Sequence, residues 1–170
     1  VGYKKEQVMK FLNTYPVPVK VVVQEKQLGT FHALSCAKDE VTADRLLIIP
    51  GDNYVTAASL KSLLQETNAA LVAPHTRPWD YGVITQKEGT LCSTNMRAFD
   101  APPGTLVETG TYLLERKLYS AFFALENPDD IVNEMSYTRH DVRVVEAKDW
   151  YDADCFADLL ELNRYLLSKQ

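Results

Sequence analysis

The chain has no run of lysine and arginine and no basic stripe. It carries 18 basic and 23 acidic residues, a formal net charge of −5. That balance argues against nucleic acid as the main partner and leaves room only for local anion sites. No apolar run approaches the roughly 20 residues a membrane span needs, and no signal peptide or lipidation motif is visible. Cysteine is scarce. Cys36, Cys92 and Cys155 are odd in number and widely spaced, with no CxxC or Cys/His cluster. Neither a disulfide framework nor a zinc site is indicated, and a reducing, cytoplasmic setting fits best. There are no internal repeats and no low-complexity tract. What remains is an ordinary soluble composition, 46% hydrophobic and 24% charged over 170 residues, enough for one domain with a real core.

The stretch Leu46-Leu47-Ile48-Ile49-Pro50-Gly51-Asp52-Asn53-Tyr54 is the most informative. A short apolar run bounded by turn residues reads as a fully buried strand, most simply in a parallel sheet. Ligands of open α/β sheets sit outside the carboxyl ends of the strands, where Asp52 would lie, with Gly51 allowing backbone or ligand to come close. Pro-Gly-Asp-Asn is equally a good turn. Around this stretch, helical spacing is found over 4–12, 31–38 and 57–66. The β-branched run Val19–Gln24 and the run Ala70–Ala73 read as further buried strands. This alternation predicts an α/β fold with a largely parallel sheet. Beyond Pro74 the pattern changes. Residues 81–86 and 91–96 flank Lys87-Glu88-Gly89-Thr90, a hairpin signal. Residues 97–104 read as loop and 106–114 as strand, with Gly110 a point of close approach or a bulge. A helix is expected over 117–125, a polar connection over 126–130, a strand over 142–146 and an amphipathic helix over 156–167. Val1-Gly2-Tyr3 reads as the tail of a strand already in progress.

Five stretches in this order, VVVQEKQLGTFHAL, LLIIPGDNY, YGVI, ETGTYLLE and WYDADCFADLLELNRYLL, resemble the sugar-phosphate nucleotidyltransferases. These enzymes join a nucleoside triphosphate to a sugar 1-phosphate and release pyrophosphate. The resemblance implies a three-layer, Rossmann-like, mixed and mostly parallel sheet flanked by helices, with a small β-rich sugar-side region, in one domain over 1–170. It implies that Gln24 reads the base, with UTP or dTTP equally suited, and that Gly29, Thr30 and Gly51 lie along the nucleotide. Tyr81, Gly82, Glu108, Thr109 and Gly110 would line the sugar side. Asp52 and Asp152 would hold Mg²⁺, the expected cofactor, and carry the catalysis. The partners are then the nucleoside triphosphate and the sugar 1-phosphate, with no nucleic acid or membrane; assembly into a homo-oligomer is compatible. His32 is read as helix packing or a local hydrogen bond, and Arg143 and Lys148 as solvated surface.

The sequence also departs from the family pattern. No Gly-rich loop with a basic pair is present to cradle the triphosphate, and the expected strand, loop and helix would precede Val1. Asp100-Ala101-Pro102 stands where a Glu-Lys-Pro stretch is expected. Glu108 replaces an Asn, Ala153-Asp154 follows Asp152 where a Gly is usual, and 127–140 is shorter than in relatives. Two other readings therefore stay open: a non-catalytic, partner-binding relative of the same fold, and a nucleotide-sugar-dependent glycosyltransferase using Asp152-Ala153-Asp154 as an Asp-x-Asp motif.

Overall fold

A computed structural model describes residues 1–96, 98–125 and 141–169. The polar connection at 126–130 and the short stretch 127–140 lie outside the described residues. The described elements are α1 (Lys5–Leu12), α2 (Thr30–Cys36), β1 (Arg45–Ile48), β2 (Asn53–Val55), α3 (Ala57–Leu63), β3 (Ala69–His75), β4 (Val83–Lys87), β5 (Thr90–Asn95), β6 (Thr105–Glu115), α4 (Arg116–Phe123), β7 (Arg143–Glu146), β8 (Trp150–Asp152) and α5 (Phe156–Leu167).

Six strands form one sheet in the order β1-β6-β3-β7-β5-β4, and β4 also touches β6 where Val83 faces Val107. β3 is the centre because its run of small and branched apolar residues suits burial on both faces. Ala70 and Val72 point to one side, where they pack with Phe31 of α2 and Leu118, Tyr119 and Phe122 of α4. Ala69, Leu71 and Ala73 point to the other, against Leu63 of α3. Period-two alternation along one strand thus makes three layers. Each fully buried Phe or Leu here contributes about 1.5–3 kcal/mol.

The mixed α/β sheet flanked by helices is present. β1, β3, β7 and β4 share one direction, but among the described residues only β3 and β7 are adjacent parallel neighbours, because β6 and β5 run the opposite way between the others. The strand expected over Leu46–Ile49 is therefore corrected in two respects. It pairs antiparallel with β6, from Arg45 opposite Glu115 to Ile48 opposite Tyr112. Its residues alternate between exposed and half-buried instead of being buried on both faces, since only Leu46 and Ile48 reach the core. The strand expected over Val19–Gln24 does not form. That segment is held by the Val1 nitrogen donating to the Val22 carbonyl and the Gln24 backbone amide donating to the Val1 carbonyl. Two bonds do not make a ladder, and β-branched content alone does not supply one.

Two short strands escape the sequence pattern. β2 and β8 pair antiparallel as a separate ribbon, with Asn53 opposite Asp152 and Val55 opposite Trp150. The ribbon is fastened to α3 by Ser59, a buried serine whose hydroxyl accepts from the Lys148 amide at 3.0 Å and lies 2.9 Å from the Thr56 hydroxyl. Ser59→Ala removes that acceptor and is expected to lower stability by about 1 kcal/mol, read as a lower midpoint in urea at unchanged slope.

β6 carries a bulge. Its pairing with β3 shifts between Ala70–Tyr112 and Val72–Glu108, leaving extra residues on β6 around Gly110. Gly110 has φ +71°, a region that disfavours a side chain. The Leu71 carbonyl within the shift is satisfied by the Thr109 hydroxyl at 2.8 Å. The expected role of Gly110 as a bulge and close-approach point is thus observed: a Cβ there would meet Pro50 Cγ at 2.7 Å.

Candidate functional site

β1 ends at Ile48, and Pro50-Gly51 turns the chain so that Asp52 opens the β2–β8 ribbon. The antiparallel register then sets Asp152 across from Asn53, and the Ala153 amide donates to the Asp52 carbonyl at 3.1 Å. Carboxylate oxygens of Asp52, Asp152 and Asp154 lie within 4.8 Å of one another. Residues about a hundred positions apart are thereby brought to one point.

The cluster opens into a cavity of about 180 Å³ that also involves Asn53, Tyr81, Glu108, Thr109, Gly110 and Trp150. Burial, the Asp154 charge and the Asp52 charge together push Asp152 up from the ordinary 3.8 to about 6, against the Tyr81 hydroxyl and the Ala153 amide, which favour its ionised form. Burial and the neighbouring Asp152 likewise raise the Tyr81 hydroxyl well above its usual value. Three carboxylates at this spacing form an all-oxygen donor set of the kind that suits Mg²⁺. Their mutual repulsion is what a divalent cation would relieve. A carboxylate raised in the folded state favours folding below pH 4 relative to higher pH, and stability is lost as pH climbs from about 4 through 6. Asp152→Asn is therefore expected to stabilise the chelator-treated protein at pH 7 by about 1 kcal/mol after allowance for solvent screening, and to change little at pH 4. Thermal melts in EDTA at the two pH values read this out.

Four of the sugar-side candidates, Tyr81, Glu108, Thr109 and Gly110, border the same cavity, and Gly82 lies beside Glu108 without bordering it. Gly82 is buried with its carbonyl accepting from the Glu108 amide at 2.9 Å, and a Cβ there would meet Glu108 Oε1 at 2.9 Å and Thr94 Cγ2 at 2.6 Å. The Tyr112 hydroxyl donates to Glu108 Oε2 at 2.6 Å. Thr109 lines the cavity but its hydroxyl is spent on the Leu71 carbonyl, so its side chain serves the sheet. Ala101, where a Lys was expected by resemblance, packs against the apolar cluster of Val83, Ala98 and Val107. The nucleotide-side candidates Gln24, Gly29 and Thr30 border neither this cavity nor its neighbour. The Gln24 amide donates to the Gly29 carbonyl at 3.1 Å and pairs with His32 Nδ1 at 2.9 Å, the local hydrogen bond expected of His32. Gly51 is exposed, with open space where a Cβ would stand. Arg143 is a structural residue: its guanidinium donates to the Glu88 carbonyl and the Thr90 hydroxyl at 3.0 and 3.1 Å, bracing the β4–β5 turn.

A larger cavity of about 570 Å³ lies beside the first, with Tyr81, Trp150 and Asp152 bordering both. His75, Tyr81 and Trp150 stack edge to face between them, with ring centroids 4.6–6.0 Å apart. His75, Trp150 and Asn53 were not singled out from sequence as site groups, and Asp154 entered only through the Asp-x-Asp alternative. The adjacency of Asn53 to Asp52, and of Asp154 to Asp152, was the available signal.

One carboxylate in the turn after β1 and one closing β8 thus face a cavity bordered by Gly110. A profile of the Nucleotidyl transferase family matches residues 3–169, and the chain belongs to that family. It is 26% identical over 176 residues to the bifunctional protein GlmU of Methanocaldococcus jannaschii, covering 99% of this chain and 42% of that protein. GlmU of Thermotoga petrophila is 39% identical over 93 residues, 51% of this chain and 20% of that one. The chain thus spans less than half the length of these relatives. Among solved structures, the inositol-1-phosphate CTP transferase of T. maritima superposes with a TM-score of 0.77 at 21% identity, covering 96% of this chain and 71% of that one. UDP-glucose pyrophosphorylase of Acinetobacter baumanii gives 0.68 at 18%, with 99% and 73% covered. At these identities the superpositions establish the fold. No described helix is long and apolar enough to cross a membrane.

Proposed function

We propose that the chain is the metal- and acceptor-side part of a nucleotidyltransferase that joins a nucleoside triphosphate, UTP or dTTP, to a sugar 1-phosphate. The observation that carries this reading is the convergence of Asp52 and Asp152 within one cluster of carboxylate oxygens at the mouth of a cavity lined by Tyr81, Glu108 and Gly110. A sugar-phosphate oxygen attacks the α-phosphorus, one P–O bond forms, the bond to the β-phosphate bridge breaks, and pyrophosphate leaves. The sugar phosphate is already nucleophilic, so no protein nucleophile is needed. Mg²⁺ held by Asp52 and Asp152 would supply neutralisation of the charge gathering on the α-phosphate and align it. Tyr81, Gly82 and the Glu108–Gly110 bulge shape the acceptor side, and Gln24 with Gly29 and Thr30 the base side. The 170 residues read as a single domain, with exposed Leu47 on the edge strand β1 and exposed Ile49 just beyond it.

Pyrophosphate release from each nucleoside triphosphate with a panel of sugar 1-phosphates and Mg²⁺ tests the reading. It is run on the longest natural chain that contains this sequence, and silence across the panel would sink it. A second reading, transfer from a ready-made nucleotide sugar, is favoured by one observation: Asp152 and Asp154 both reach the cluster, as an Asp-x-Asp metal site requires. Release of nucleoside diphosphate from a nucleotide sugar, without pyrophosphate chemistry, would select it.

A further inference from the structure

We propose that Asn53 is a positioning residue for the cation site: its carboxamide, oriented by the Trp150 indole, holds the Asp52 and Asp152 carboxylates in the pose that a divalent cation meets. The proposal rests on the reading of those two residues as the metal's carboxylates. The geometry is specific. Asn53 Nδ2 donates to Asp52 Oδ1 at 3.2 Å and to Asp152 Oδ1 at 3.1 Å. Its Oδ1 accepts from Trp150 Nε1 at 2.6 Å.

The orientation of an amide is normally ambiguous, but here chemistry decides it. An indole nitrogen is a donor only, so the amide oxygen must face Trp150 and the NH₂ must face the carboxylates. The two hydrogens of that NH₂ are then divided between two anions. Each carboxylate commits one oxygen to the amide and keeps the other for a cation, and the donor's partial positive charge offsets part of the repulsion between them. The strand register makes the arrangement rigid. Asn53 faces Asp152 across the ribbon, and Trp150 two residues earlier is clamped by the rings of His75 and Tyr81. Groups that orient metal ligands through hydrogen bonds commonly govern affinity by 10–100-fold.

The alternative is that the same bonds merely hold β2 to β8, and the test separates the two. Asn53→Leu keeps the branched outline of the side chain and removes the donors. Trp150→Phe keeps an aromatic ring against His75 and Tyr81 and removes the N–H that orients the amide. Mn²⁺ binding is titrated by the electron paramagnetic resonance of free Mn²⁺, without nucleotide, alongside melting in EDTA. Both variants are expected to bind Mn²⁺ at least about tenfold more weakly than the parent, and to melt within a few degrees of it. Unchanged Mn²⁺ affinity in a folded Asn53→Leu would overturn the assignment. Should that variant fail to fold, unchanged affinity in Trp150→Phe does the same. A parent protein that binds no Mn²⁺ overturns both this assignment and the cation reading. A parent that binds Mn²⁺, with loss in the variants, but releases no pyrophosphate supports the role of Asn53 and removes only the proposed reaction.

Discussion

Asp52→Asn and Asp152→Asn are each expected to reduce pyrophosphate release by on the order of a thousandfold or more, with far-ultraviolet dichroism unchanged. Both substitutions preserve volume and outline while removing a negative charge and turning one acceptor oxygen into a donor. Asp52 is exposed in the turn after β1 and Asp152 is half-buried at the end of β8, so neither supports the core. The loss should appear mainly in kcat at saturating substrate, since charge on the α-phosphate builds most in the transition state. Raising Mg²⁺ should rescue activity only in part. Full activity in either variant would refute the two-carboxylate site. A large fall in melting temperature together with the activity loss would assign the residue to folding instead.

Gly110→Val is expected to destabilise the protein by about 2–6 kcal/mol, the sum of two separate penalties. A branched residue at φ +71° costs roughly 1–3 kcal/mol in backbone strain. A Cβ 2.7 Å from Pro50 Cγ adds roughly 1–3 kcal/mol of overpacking. Pro50 belongs to the turn that delivers Asp52, so relief of the clash displaces the carboxylate as well. Gly110→Ala should fall between, because it incurs strain and contact but no branching. Urea unfolding with Mn²⁺ titration on the same samples measures both consequences. A Gly110→Val protein as stable as the parent would show that the bulge relaxes freely.

The legibility of this chain follows the length of its signals. β3 and β6 carry runs whose alternation serves two faces, and the hairpin of β4 and β5 announces itself by Glu88-Gly89 between apolar segments; these were readable. β2 and β8 have three residues each, too few to show a period, and they pair across about a hundred residues of chain. Asp52 and Asp152 were therefore visible as candidates, while the ribbon that joins them was not. Asn53 read as a turn residue, because two of its three partners, Asp152 and Trp150, arrive only when the ribbon forms. Val19–Gln24 misled in the opposite direction: it has strand composition, yet strands exist through neighbours, and the described hydrogen bonds of its backbone are two, both to Val1. The burial of β1 was overestimated for the same reason, since an apolar run does not reveal whether a second face is covered.

The indole of Trp150 has one more consequence. The chain has two tryptophans. Trp79 stands partly exposed, 38% accessible, on the loop before β4, whereas Trp150 is hydrogen-bonded to the amide that touches two carboxylates. Trp79→Phe would leave a single emitter inside the site. Its intensity and emission maximum would then follow the arrival of cation, nucleotide or acceptor directly. The protein carries its own optical reporter, usable in stopped flow without any label.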